Sequence, residues 1–294
     1  MTAAVHAFER DRAPAGRLAS ALGAPLRAVQ LHILPDAESL PNVGACPATV
    51  ILYRSLDRPD AKLMPTLLAC DAFRRAGAKR LVLVAPYMPY LRQDAVFLPG
   101  QPLSRDVIGC LLGRAFDRIV TVDPHLHRTT SLASVFGEAE VEVLTAASVL
   151  AHRFCNTKPT LVVGPDAESE PWAAAVGALL GVAHLTLSKT RSGDREVAVS
   201  APCQAAVSGR RVLLLDDICS TGETLLDATR RLQMAGAASV DIAVVHALFK
   251  PPVADALRSA GARSVVSTDS CAHPTNAIHL ASVLAATLSQ EFAA

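Results

Sequence analysis

Two adjacent carboxylates, Asp216 and Asp217, close the apolar run Val212 to Leu215, and a loop of small residues follows at once: Ser220, Thr221, Gly222, Glu223 and Thr224. These residue types at this spacing suit a sugar phosphate. At a strand-to-helix turn the backbone N–H groups point outward, and the positive end of the helix dipole favours an anion. The hydroxyls add donors to phosphate oxygens, and Gly222 lets the backbone come close or take a positive φ. The paired acids can accept hydrogen bonds from a diol. A plain capping turn needs only one acid, so the doubled carboxylate at a buried strand's end favours a ligand site over a helix cap.

Other chemistry-bearing residues stand in similar places. Asp36, Arg92-Gln93-Asp94, Asp123 with His125, and Asp166 each follow an apolar run. Alone, each has a structural reading: Asp36 and Asp166 follow a proline as turn residues do, and a lone histidine is usually structural. Together they mark the C-terminal edge of strands, where open α/β sheets bind ligands.

The elements that must position them alternate. Strands are expected at Val29–Leu34, Thr49–Tyr53, Arg80–Ala85 and Arg118–Val122 from their apolar runs, with helices at Ala15–Gly23, Leu63–Ala76 and Ser104–Phe116. The rhythm restarts around Val141–Ala146. Strands at Thr160–Val163, His184–Leu187, Val212–Leu215, Ser239–Val245 and Ser264–Ser267 then alternate with helices at Val149–Phe154, Trp172–Leu180, Pro252–Ala260 and Asn276–Leu288. A helix with Leu225, Leu226, Thr229 and Leu232 follows the hydroxyl loop. Alternating strands and helices predict parallel α/β sheets. Two domains of similar size are expected, 1–144 and 145–294. Residue-level repetition between them is too weak to establish copies.

Composition narrows the function classes. The 294 residues carry 28 basic and 27 acidic side chains for a net charge of +1, which gives no electrostatic case for nucleic acid or a membrane surface. Aromatics are 4%, too few for a base-stacking platform. No apolar run approaches the roughly 18 residues of a membrane span, and Met1 to Arg12 lacks an apolar signal core. The 7 cysteines are scattered and odd in number, which suits reduced thiols in the cytoplasm.

From about Arg17 to Leu288 the ordered motifs resemble the ribose-phosphate diphosphokinase (phosphoribosyl pyrophosphate synthetase) family. Leu63-Met64 with Asp71-Ala72 resembles its first-domain helix. Pro86-Tyr87 through Arg92-Gln93-Asp94 resembles its nucleotide motif, continued by Pro99-Gly-Gln-Pro-Leu-Ser104 in the form of the archaeal-like branch. Asp123-Pro-His125 resembles the segment whose histidine contacts the Mg²⁺ carried by ATP, and Gly164-Pro-Asp166 the one whose aspartate approaches the metal. Lys189-Thr-Arg191 resembles the catalytic loop, and Asp216 to Thr224 the ribose 5-phosphate site. Leu34-Pro-Asp36-Ala-Glu38 stands where the family has Phe-x-Asp-Gly-Glu, which completes a neighbouring subunit's adenine site.

The resemblance implies two phosphoribosyltransferase-type domains in a dimer-based oligomer. It also implies transfer of the diphosphoryl group of ATP to the 1-hydroxyl of ribose 5-phosphate, with Mg²⁺. The implied roles are catalysis for Lys189 and Arg191, ATP binding for Asp36, Glu38, Arg92, Gln93 and Asp94, and metal binding for His125 and Asp166. Leu34, Glu168, Ser169 and Ala95 depart from the family pattern. The competing readings are a catalytically silent partner of a synthetase, which Leu34 and Glu168 favour, and a phosphoribosyltransferase, which leaves the first half unexplained.

Overall fold

The computed structural model describes residues 3–126, 131–187 and 201–292. The chain forms two compact units, Met1–Thr145 with Leu280–Ala294, and Ala146–His279.

The first unit runs β1 (Ala3–Phe8), α1 (Arg12–Leu22), β2 (Leu26–Ile33), β3 (Ser39–Asn42), β4 (Thr49–Tyr53), α2 (Asp60–Arg75), β5 (Arg80–Val84), α3 (Ser104–Ala115), β6 (Arg118–Val122), α4 (Ala133–Phe136) and β7 (Glu140–Leu144). Its seven-stranded sheet has the order β3-β2-β1-β4-β5-β6-β7, parallel except for the β2–β3 hairpin. The second unit runs α5 (Ala147–Phe154), β8 (Leu161–Gly164), α6 (Glu170–Leu180), β9 (Ala183–Thr186), α7 (Ala201–Val207), β10 (Arg211–Cys219), α8 (Glu223–Met234), β11 (Ser239–Ala247), α9 (Pro251–Ser259), β12 (Ala262–Thr268) and β13 (Asn276–Ile278). Its six-stranded sheet has the order β13-β12-β11-β10-β8-β9.

These orders superimpose as topology. If β1 is matched to β8 and β2 to β9, then β4, β5, β6 and β7 fall on β10, β11, β12 and β13 in both chain order and sheet order. Each unit thus has the same parallel frame, and among the described residues β3 has no counterpart in the second. The last helix, α10 (Ala281–Leu288), follows β13 but packs on α1 of the first unit, while α5 follows β7 but packs on α6 of the second.

Strands buried on both faces read as continuous apolar runs because helices cover both sides. Val50, Leu52, Leu83 and Ile119 build the first core with Phe73, Leu112 and Phe136. Val163, Leu214, Ile242 and Val244 build the second with Leu225, Leu232 and Leu257. Each such side chain contributes about 1.5–3 kcal/mol on leaving water.

Three local readings of the sequence are corrected. Ala3–Phe8 is a strand, buried at every position, inside the Met1–Arg12 stretch to which the sequence reading assigns no element. Its alanines carry little hydrophobic signal, and Glu9, Arg10, Asp11 and Arg12 follow it directly. The final helix begins at Ala281 rather than Asn276, since Asn276–Ile278 pairs with β12 and the Asn276 side chain donates to Ser267 Oγ at 3.0 Å and to the Thr268 carbonyl at 2.5 Å. Finally, β10 continues through Asp216 and Asp217 to Cys219, because β11 pairs with it as far as Ala247. In the first unit, the edge hairpin leaves Leu31, Ile33 and Leu40 exposed. Among the described residues no helix is long and apolar enough to cross a membrane, and Cys46, Cys70, Cys110, Cys155, Cys219 and Cys271 are free thiols.

Candidate functional site

The second unit brings Asp216, Asp217 and Asp166 to one edge of its sheet. β8 pairs with β10 only from Val212 to Leu214, and beyond that point β10 is paired on the β11 side alone. Asp217 is buried and Asp216 half-buried. The Asp216 carboxylate accepts the Asp217 N–H at 3.1 Å, and that of Asp217 accepts the Ile218 N–H at 2.7 Å. Burial, reinforced by the charges of Asp217 and Asp166, holds the Asp216 carboxyl well above the usual carboxylate range. Such a cluster of like charges is a common signature of a functional site.

The loop beyond is built for close approach. Gly222 has φ +84°, and a Cβ there would lie 2.2 Å from Val253 Cγ1 of α9, so both backbone and space require glycine. Gly222 is also the N-cap of α8 and contributes no side-chain hydrogen bond. Ser220, Thr221, Glu223 and Thr224 are exposed around it. The Glu223 N–H donates weakly to Thr221 Oγ1 at 3.5 Å, and first-turn N–H groups beyond it are the groups that an anion satisfies. The neighbouring Cys219 thiol is pushed up to about 12 by burial, with Asp216 adding to the effect, so it is no nucleophile at neutral pH.

Asp166 follows β8 and is the N-cap of a short 3₁₀ turn. Its side chain accepts the Glu168 N–H at 3.2 Å, while Ser169 Oγ accepts the Asp166 N–H at 3.3 Å and donates to the Asp166 carbonyl at 2.6 Å. Ser169 therefore has a structural use where the family pattern has glycine, and the Glu168 side chain is exposed. The sequence reading missed this reciprocal cap, although Asp and Ser three residues apart are its readable signal.

In the first unit, His125 lies half-buried beyond β6, just after Asp123 at φ +39°. Arg92 and Gln93 are exposed beyond β5, whereas Asp94 is buried. Asp36 and Glu38 are exposed at the tip of the β2–β3 hairpin, where Asp36 Oδ1 accepts the Glu38 N–H at 3.3 Å. Between them Ala37 has φ +70°, a conformation that suits the glycine of the family motif better than an alanine. Lys189 and Arg191 lie outside the described residues. Within that limit the structure gathers Asp166, Asp216, Asp217 and the hydroxyl loop, and it leaves Asp36 and Glu38 at a separate edge of their own sheet.

Comparison with known proteins agrees with this arrangement. Residues 4–115 match the family model for the N-terminal domain of ribose phosphate pyrophosphokinase, and residues 138–277 match that for the phosphoribosyl transferase domain. A ribose-phosphate pyrophosphokinase of Methanopyrus kandleri is 32% identical over 267 residues, covering 90% of this chain and 91% of its own. This chain belongs to the ribose-phosphate pyrophosphokinase family. The Pyrococcus furiosus member is 31% identical over 77% of this chain and 80% of its own length. The crystal structure of phosphoribosylpyrophosphate synthetase from Mycobacterium smegmatis matches with a TM-score of 0.82 at 27% identity, covering 100% of this chain and 99% of that one. The pyrophosphokinase family match thus spans both units, which a reading as a lone phosphoribosyltransferase leaves unaccounted for.

Proposed function

We propose that the chain transfers the β,γ-diphosphoryl group of ATP to the 1-hydroxyl of ribose 5-phosphate, giving phosphoribosyl pyrophosphate and AMP. The observation that carries the reading is Asp216-Asp217 on β10 over the open N-terminus of α8, beside Asp166, in a chain that matches the family across its length. The phosphate of ribose 5-phosphate takes the backbone and hydroxyl donors of Ser220 to Thr224. Asp216 and Asp217 accept from the ribose hydroxyls, which orients the 1-hydroxyl. That oxygen attacks the β-phosphorus, the bond from the α-phosphate breaks, and AMP leaves. Such a transfer depends on in-line positioning and on neutralising developing charge, not on a covalent nucleophile. Lys189 and Arg191 supply donors to the transferring group. Arg92, Gln93 and Asp94 serve the nucleotide, with Asp36 and Glu38 serving that of a neighbouring subunit.

Mg²⁺ fits the donors present. The Asp216 carboxyl is raised by burial first and then by the charges of Asp217 and Asp166, and a divalent cation with hard oxygen ligands would relieve the repulsive part. No group of three or more His, Cys, Asp or Glu among the described residues forms a complete cage, which suits an ion that keeps water and phosphate as ligands. Asp166 in the second unit would be a metal contact there, His125 in the first unit would contact the Mg²⁺ carried by ATP, and the metal would supply neutralisation of phosphate charge. The exposed Leu31, Ile33 and Leu40 of the edge hairpin support self-association, and the free thiols support a cytoplasmic setting.

The test is to supply ATP, ribose 5-phosphate and Mg²⁺ and to measure AMP and phosphoribosyl pyrophosphate together. Equal yields of both, lost in Lys189→Ala, are expected. Ribose 5-phosphate binding without either product would sink the reading in favour of a silent partner.

A further inference from the structure

A cavity of about 670 Å³ opens in the first unit beside the C-terminal ends of β1 and β4, with β2 along one side. Four cations line it: Arg10, Arg54, Arg58 and Lys62. Phe8, Val29 and Leu31 supply an apolar wall, and Glu9 is its one carboxylate.

The cations are not all used by the fold. Arg54, 4% exposed, donates from Nη1 to Asp11 Oδ2 at 2.8 Å, and its guanidinium stacks 4.0 Å over the Phe8 ring. Its buried Nε has no hydrogen-bond partner, an expensive omission for a charged group. Lys62 Nζ donates to the Ser55 carbonyl at 2.7 Å and to Asp57 at 2.5 Å. Arg10 and Arg58 are exposed and form no ion pair with a described residue. Glu9 is engaged by Arg12 at 3.5 Å. The cavity therefore keeps unmatched positive charge.

Arg58 is also strained. Its φ is +52°, a region that non-glycine residues rarely enter without cost. It lies just before α2, whose N-cap is Pro59. In the matching topology, β4 and α2 correspond to β10 and α8, so Arg58 lies in the matching strand-to-helix loop, one residue before the N-cap, where in the second unit Gly222 at φ +84° is itself the N-cap. In the same way, the segment after β1 that carries Arg10 corresponds to the segment after β8 that carries Asp166.

The two units thus have the same frame with the charges inverted. In the second unit the strand ends carry Asp166, Asp216 and Asp217, which suit a sugar diol and a metal. In the first unit the same places carry Arg10, Arg54 and Arg58, which suit the anion itself. We propose that this cavity is a second phosphate site, separate from the catalytic one. It takes the dianionic phosphate of a small phosphorylated metabolite without a divalent cation, and the organic part lies on the Phe8, Val29 and Leu31 wall. The exposed guanidiniums of Arg10 and Arg58 are the donors it offers, and charge-assisted bonds of this kind are the strong ones.

The test uses the full chain with the ribose 5-phosphate loop disabled by Thr221→Ala with Thr224→Ala, titrated calorimetrically with inorganic phosphate in EDTA. Saturable binding is expected to remain. Adding Arg58→Gly is expected to weaken it by about tenfold or more, the loss of a charge-assisted bond, while raising the melting temperature through relief of the positive φ. Ribose 5-phosphate and AMP are then tested as competitors. Displacement by either supports the site and tells a sugar phosphate from a nucleotide. No binding in the loop variant, binding unmoved by Arg58→Gly, or displacement by neither competitor would overturn the proposal.

Discussion

Single residues already carry opposing demands. Burial, reinforced by the charges of Asp217 and Asp166, raises the Asp216 carboxyl above the usual carboxylate range, so ionising it in the folded chain opposes folding. Asp216→Asn is expected to stabilise the chain by about 1 kcal/mol, or about 2–4 °C in Tm, while abolishing ribose 5-phosphate binding. Calorimetry and a thermal melt on one sample check both halves, and unchanged or lower stability would remove the repulsion argument. His6 gives a second case. It is fully buried on β1, its ring edge-on to Phe73 at 4.9 Å between centroids, and burial lowers its pKa from 6.5 to about 4. The unfolded chain therefore binds a proton near pH 6.5 that the folded chain refuses until about pH 4. Stability from this group is complete above pH 6.5 and is lost as pH falls through that window, by up to about 3 kcal/mol. Urea melts at pH 7.5 and pH 5 should show a gap that narrows in His6→Leu.

At the scale of elements, the strand-loop-helix from β10 to α8 does the positioning, and Gly222 is its tightest point. A side chain there meets both the +84° φ and the Val253 methyl at 2.2 Å. Gly222→Ala is expected to cost about 1–3 kcal/mol and to weaken ribose 5-phosphate binding, with the first unit's melting behaviour unaltered. Retained affinity in that variant would mean the loop does not contact the phosphate. The apolar runs of β4, β5, β6, β8 and β11 were readable because strands buried on both faces leave a local signature. The strand β1, half alanine, and the three-residue β13 were not, because one carries little apolar contrast, the other is too short to show a period, and hydrogen bonding across the sheet decides both.

For the whole molecule, the crossing of the last helices is the main organising fact. α10 closes the first unit although it follows the second in sequence, and β6 explains why it stays there. Arg118, 1% exposed, donates to Glu291 at 2.8 Å and also pairs with Glu142, while Arg80 reaches Glu291 at 2.7 Å. Deleting residues 281–294 takes away a partner of a buried guanidinium, which typically costs about 3–5 kcal/mol. Hydrogen exchange on the truncated chain should therefore show lost protection in β1 to β7 before β8 to β12. Uniform loss in both units would refute the assignment of α10.

The sequence by itself determined the α/β class, the two-fold division of the chain and the carboxylate-hydroxyl loop, since each is written in residues adjacent along the chain. Asp216, Asp217 and Gly222 could be named because a strand end, a turn and a helix start need only local residue types. Only the tertiary structure decided that Asp166 adds its charge to Asp216, that Val253 makes Gly222 obligatory, that α5 and α10 exchange units, and that Arg10, Arg54 and Arg58 share a cavity. Each of these is set by which strands lie side by side and which helices cover them, and long-range packing leaves no periodicity in the chain from which it can be read.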